Sequence, residues 1–162
     1  MTKIAKTFVL IILVSMTVGC DHISKHIATT ALKDTTGRSF LADTLRFEYA
    51  ENIGGMLSLG ANLSPGIHTA IFKIGIGVVL IGMAVAAIIM QLSPMALVGL
   101  GLTCGGGFSN WIDRITTGSV VDFMNVGIGS LRSGIFNVAD LTVLLGAFLL
   151  VLSYRHSKKL KT

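Results

Sequence analysis

Eight polar side chains in this chain have the types and spacing for chemistry on an amide bond: Asp21, Asn52, Asn110, Asp113, Arg114, Asp122, Asn137 and Asp140. Most stand at or near the end of an apolar stretch, where an unpaired carboxylate is expensive, while Asn52 lies in the most polar part of the chain. Asn137 and Asp140 are three positions apart and share a face if their segment is helical. If the chain between them folds back, Asp122 can meet Asp140 at membrane depth. Two carboxylates in contact in a poorly solvated site cannot both ionise, so the pair holds one proton near neutral pH. The ionised partner can then draw a proton from water while the protonated one hydrogen-bonds a carbonyl and steadies the developing oxyanion. Asn110, Asn137 and Arg114 would supply donors for substrate carbonyls.

Each of these residues also has a structural reading. An aspartate at the end of a span serves equally as an interfacial residue or a helix cap, which applies to Asp122 and Asp140. Asp21 reads as the first polar residue beyond a first span. Asp113 beside Arg114 reads as a local ion pair that orients a loop. His22, His26, His68 and His156 have no ligand spacing with one another, and Cys20 and Cys104 lie far apart in apolar surroundings. Neither a metal site, a cofactor nor a disulfide framework is expected.

The elements that must position these groups follow from composition. The chain is 52% hydrophobic and 13% charged, with a mean hydropathy of +0.78, which is too apolar for an ordinary soluble domain and predicts an integral membrane protein. The net charge of +5 comes largely from residues beside hydrophobic segments, so it is read as orientation in a membrane with anionic lipid alongside, and not as nucleic-acid binding.

The expected architecture is a single membrane domain over 1–162, with four transmembrane helices at about 7–31, 67–90, 95–112 and 136–154. A small extracytoplasmic β segment is expected at 33–65, where Thr44–Ala50 alternates polar and apolar residues and Asn52-Ile53-Gly54-Gly55 reads as a turn. Residues 113–135 are expected to be an extracytoplasmic loop. The first run also admits a second reading, because Thr17-Val18-Gly19-Cys20 resembles a lipobox with cleavage before Cys20. If instead the helix continues past Asp21, Ser24, Lys25 and His26 lie in its last turns near the membrane surface. Gly101 and Gly105 form a small-x-x-x-small pair that lets a neighbouring helix approach, and Trp111 and Tyr154 read as interface anchors. Four spans place both termini on one side, and Lys3, Lys6 and the basic C-terminal tail favour the cytoplasm.

At these residues the sequence resembles the lipoprotein signal peptidases, the bacterial signal peptidase II family of intramembrane aspartic proteases. The resemblance rests on Asp21-x-x-Ser24-Lys25, Asn52-x-Gly54, Gly105-Gly106 with Asn110-x-x-Asp113-Arg114, Val121-Asp122-Phe123 and Asn137-x-Ala139-Asp140, and so covers nearly the whole chain. It implies a multi-pass protein of the bacterial inner membrane that removes the signal peptide of a prolipoprotein by cutting before its diacylglyceryl-modified cysteine. By the same resemblance Asp122 and Asp140 are the catalytic dyad, Asn52, Asn110, Arg114 and Asn137 bind substrate, and Asp21, Gly54 and Asp113 support the site. The implied partners are lipidated signal peptides and membrane lipids, the implied state is a monomer, and the site faces the extracytoplasmic side.

Two departures stand out. The family usually has Gly-Asn where this chain has Ser109-Asn110, and a small-small-Phe turn where it has Gly55-Met56-Leu57, which would suit an accessory copy specialised for a few lipoproteins. A reading of a different class is a small transporter in which Asp21, Asp122 and Asp140 relay protons or bind a cation. Such a relay wants acids spread through the membrane depth, whereas these three map to one face.

Overall fold

The computed structural model describes residues 1–55 and 58–159. Helix α1 spans Lys3–Leu32, strand β1 Arg38–Phe40 and strand β2 Leu45–Asn52. A continuous helical stretch follows, made of α2 (Pro65–His68), a wide π-helical turn (Thr69–Gly75) and α3 (Ile76–Ile89). Then come α4 (Pro94–Thr116), β3 (Val120–Ile128), β4 (Leu131–Arg132) and α5 (Val138–Lys159).

Three helices are long and apolar enough to cross a membrane, Lys3–Leu32, Pro65–Ile89 and Val138–Lys158, among the described residues. Their outward faces carry Phe8, Ile11, Met16 and Ile23 on α1, Val78, Val79 and Ile81 on α3, and Leu144, Leu145 and Phe148 on α5, all exposed. Apolar surface on that scale requires a hydrocarbon solvent, so the chain is a membrane protein. Helix α4 is not among the three. It packs against α1, α3 and α5, and its sequence is shaped for close approach to them instead of contact with lipid.

Glycine makes that approach work. A Cβ on Gly101 would sit 2.7 Å from Leu13 and one on Gly105 2.7 Å from Thr17, so the expected small-residue pair does face a neighbour, α1, whose Leu13 and Thr17 are likewise four apart. Gly106 points the other way, and a Cβ there would run into the Ala139 carbonyl of α5. Ser93 caps α4, accepting from the Ala96 N–H at 3.1 Å with Pro94 in the first turn, and Gly118, at φ +87°, ends it.

The four strands form one antiparallel sheet in the order β1-β2-β3-β4. Strand β2 pairs with β3 through Phe47↔Met124, then Ala50↔Asp122 and Asn52↔Val120, with a bulge between Phe47 and Ala50. One extra residue reverses which side chains share a face. Without it Asn52 would point away from Asp122.

The structure corrects several boundaries. Residues 113–135 are not a loop: Asp113 and Arg114 belong to the last turns of α4, and Asp122 lies within a nine-residue strand. Asn52 ends β2 and its side chain opens the following turn, accepting the Gly54 N–H and donating to the Gly55 carbonyl. Helix α1 runs unbroken through Thr17–Cys20 to Leu32, and Lys25 is buried against its neighbours. The Trp111 indole N–H donates to the Lys73 carbonyl at 2.6 Å and ties α4 to the wide turn. Met56 and Leu57 of the second sequence departure lie outside the described residues.

Candidate active site

The chain segment before α5 brings the two candidate acids together. Phe136 pairs with Met124, its N–H donating to the Met124 carbonyl at 2.8 Å while its own carbonyl accepts from Phe123 and Met124 at 3.0 and 2.9 Å. The next residue, Asn137, therefore leaves the sheet edge beside Asp122 and starts α5. Asn137 is fully buried. Its side-chain oxygen accepts the Asp140 N–H at 3.0 Å, and its own N–H donates to Asp140 Oδ2 at 3.2 Å. This is a reciprocal capping box with aspartate in place of the usual glutamate.

The same Asn137 amide donates to Asp122 Oδ1 at 2.6 Å. One residue is thus bonded to both carboxylates. Asp122 Oδ2 accepts from Asn52 Nδ2 at 3.0 Å, and Asp140 Oδ1 accepts from Asn110 Nδ2 at 2.9 Å. Asn52 is held in turn by its oxygen, which accepts the Gly54 N–H at 3.0 Å, an arrangement in which the side chain mimics a backbone turn. Asp122, 3% exposed, has its carboxyl pushed up to about 6, chiefly by burial, with the neighbouring Asp140 adding to the rise and donors from Asn52 and Asn137 opposing it.

Behind the pair lies a buried charged layer. Asp21, with no exposed surface, accepts from the Ala139 N–H at 2.8 Å and from Ser109 Oγ at 2.7 Å. It thereby caps a backbone donor of α5 from another helix, where an anion is favoured by the helix dipole. Lys25 Nζ contacts Asp21 Oδ2 and Asp113 Oδ2, each at 2.6 Å, and Asn110 Oδ1 at 2.8 Å. Arg114, also buried, donates to the Gly54 carbonyl and, at 3.1 Å, to the Asn110 carbonyl. Its Nε has no partner among the described residues. No group of His, Cys, Asp or Glu side chains is placed to hold a metal ion among the described residues.

Residues 12–155 match the family model of signal peptidase (SPase) II. A lipoprotein signal peptidase of Chlorobium phaeobacteroides is 33% identical over 148 residues, covering 86% of each chain. One from Sphingopyxis alaskensis is 31% identical over 81% of this chain and 76% of its own. The chain belongs to the signal peptidase II family. A bacterial membrane enzyme solved by the in meso method at 2.3 Å superposes with a TM-score of 0.82 at 26% identity, over 95% of this chain and 92% of that one. A second, solved at 1.9 Å, shares the fold with a TM-score of 0.75 at 24% identity. This protein is accordingly an aspartic-type signal peptidase II.

All nine site residues expected from the sequence of this signal peptidase fall into one connected cluster: Asp21, Asn52, Gly54, Asn110, Asp113, Arg114, Asp122, Asn137 and Asp140. One expected pairing does not form. Asp113 faces Lys25, with His22 3.6 Å away, and Arg114 turns to Gly54. Lys25 and Ser109 belong to the cluster but were not among the expected site residues. The signal for Lys25 was present: Asp21 and Lys25 are four apart in an apolar helix, the spacing of a same-face pair, and a lysine cannot lie buried without an acid.

Proposed function

We propose that this signal peptidase II removes the signal peptide of prolipoproteins by cutting before a diacylglyceryl-modified cysteine, with Asp122 and Asp140 sharing one proton. The observation that carries the reading is the bonding of Asn137 to both carboxylates, which confines the pair to the reach of one residue. A water between them loses a proton to the ionised carboxylate as its oxygen attacks the scissile carbonyl carbon. The protonated carboxyl gives its proton to the carbonyl oxygen. Collapse of the resulting gem-diol breaks the C–N bond: the leaving nitrogen takes the proton first drawn from water, and one diol hydroxyl returns its proton to the other carboxylate, restoring the singly protonated pair.

The donors divide by reach. Arg114 Nε, which has no partner among the described residues, supplies an N–H for a substrate carbonyl, while Asn52, Asn110 and Asn137 hold the acids in place. A lipidated cysteine and an apolar signal helix both lie in the bilayer, which fits a dyad at its outer boundary. In this reading α4 is a fourth span, both termini are cytoplasmic, the site faces the extracytoplasmic side of the inner membrane, and a monomer suffices.

The test is a gel-shift assay on a lipidated precursor with enzyme reconstituted at matched levels. Asp122→Asn and Asp140→Asn are each expected to abolish the shift. Undiminished cleavage by either variant removes that aspartate from the mechanism.

A further inference from the structure

Lys25 is bonded to neither candidate catalytic acid, yet its ammonium determines how both are served. An ammonium offers only donors, so the Asn110 atom facing Lys25 Nζ at 2.8 Å must be the oxygen. That leaves Asn110 Nδ2 aimed at Asp140, 2.9 Å away. The same Asn110 oxygen accepts the Asn137 amide at 3.1 Å, and that amide reaches Asp122 at 2.6 Å. The three protons of Lys25 are fully used, on Asp21, Asp113 and Asn110, and the side chain is 6% exposed, so water cannot replace it.

We infer that Lys25 is a positioning residue: clamped between Asp21 and Asp113, it locks the Asn110 side-chain amide in the one orientation that presents N–H groups, directly and through Asn137, to both carboxylates. Without the cation, Asn110 can turn its oxygen toward Asp140 and withdraw the donor. Ser109 strengthens the clamp, because its hydroxyl holds the same Asp21 oxygen that Lys25 touches. The catalytic consequence rests on the function proposed above; the amide orientation does not.

The experiment uses the full-length protein in detergent micelles with a lipidated precursor. Lys25→Met is expected to lower kcat by about tenfold to a hundredfold, in the range for a misplaced donor, at unchanged KM. Lys25→Arg, which keeps charge and donors, should restore part of the loss. Lys25→Met should add little on top of Asn110→Ala, because both remove the same arrangement. If Lys25→Met does not fold, Lys25→Met combined with Asp113→Asn removes one charge of each sign and leaves Asp21 its Ser109 and Ala139 partners. That double variant should fold and show the same fall in kcat. Full additivity with Asn110→Ala, or wild-type kcat in a folded Lys25→Met variant, alone or with Asp113→Asn, overturns the inference. A readout independent of cleavage is the asparagine side-chain 15N spectrum, in which the Asn110 NH2 protons should exchange slowly in the wild type and rapidly once Lys25 is replaced. Equal exchange rates in the two proteins refute the clamp. Slow exchange lost in the variant, in a wild type that cuts no lipidated precursor, keeps the clamp and refutes the proposed reaction.

Discussion

Asp122 gives the site its pH dependence. Its carboxyl is raised to about 6 mainly because it is buried, and the charges facing it come from Asp140 on α5 and Lys25 on α1. A proton therefore stays in the pair at pH values where an ordinary aspartate has lost it. The alkaline limb of kcat/KM, which reports the free enzyme, should begin near about pH 6. The limb of kcat should lie higher, since bound substrate excludes more water from the same carboxyl. Stability carries the same signature. The folded value lies above the unfolded one, so the folded state binds more protons between about pH 4 and about pH 6, and stability falls as pH rises through that window. From a shift from 3.8 to about 6, the loss is at most about 3 kcal/mol. Denaturation in micelles at pH 4 and pH 7 should show a decline that Asp122→Asn lacks, and an equal decline in that variant would assign it to other groups.

At the scale of elements, the tightest constraint is the seam between α4 and the start of α5. Gly106 meets the Ala139 carbonyl there, one residue before Asp140 and at the residue whose N–H is held by Asp21. Gly106→Ala should push the first turn of α5 outward, destabilising the fold by about 1–3 kcal/mol, the range for overpacking, and lowering kcat more than Asp113→Asn does. Cleavage kinetics with parallel thermal unfolding check this, and wild-type values in both would mean the seam can open freely. The same seam shows what sequence could reveal. Gly101, Gly105 and the Asn137-to-Asp140 spacing were legible because helix periodicity is rigid and small residues leave an unambiguous mark. The end of α4 was not, because Asp113 and Arg114 look like the exit from a span when read alone, and only their burial against Lys25 and Gly54 shows that the helix continues. Nor was β3. Val120, Asp122, Phe123 and Asn125 are all buried, so the strand lacks the one-sided alternation that marked β2. The β2 bulge, which places Asn52 on the face of Asp122, leaves no trace in residue types at all.

Across the whole molecule, polar contacts gather at two levels. At one end Lys6 Nζ donates to the Met90 carbonyl at 2.5 Å, and Ser93 bonds Ser153 at 2.7 Å, joining α1, the end of α3, the start of α4 and the late turns of α5. At the other lie Lys25, Asn110, Asn137 and the sheet. Lys6 and Lys25 belong to one unbroken helix, and their separation of 19 positions spans about 28 Å at helical rise, close to the hydrocarbon thickness of a bilayer. Helix α4, 23 residues long, covers about 35 Å and reaches from one level to the other. The reading of α4 as a fourth span proposed above rests on this length, with its neighbours and not lipid supplying its surroundings. Lys3, Lys6, Arg155 and Lys158 lie at the first level, and the proposed cytoplasmic placement of that level rests on this excess of basic residues. In a background with Cys20, exposed on α1, changed to alanine, single cysteines at the exposed positions Thr36, Gln91 and Thr117 test the arrangement directly. An impermeant maleimide applied to intact spheroplasts should label Thr36→Cys and Thr117→Cys but reach Gln91→Cys only after permeabilisation. Labelling of Gln91→Cys and Thr117→Cys from the same side would show that α4 does not cross, and the inverse pattern at all three positions would place the dyad on the cytoplasmic face.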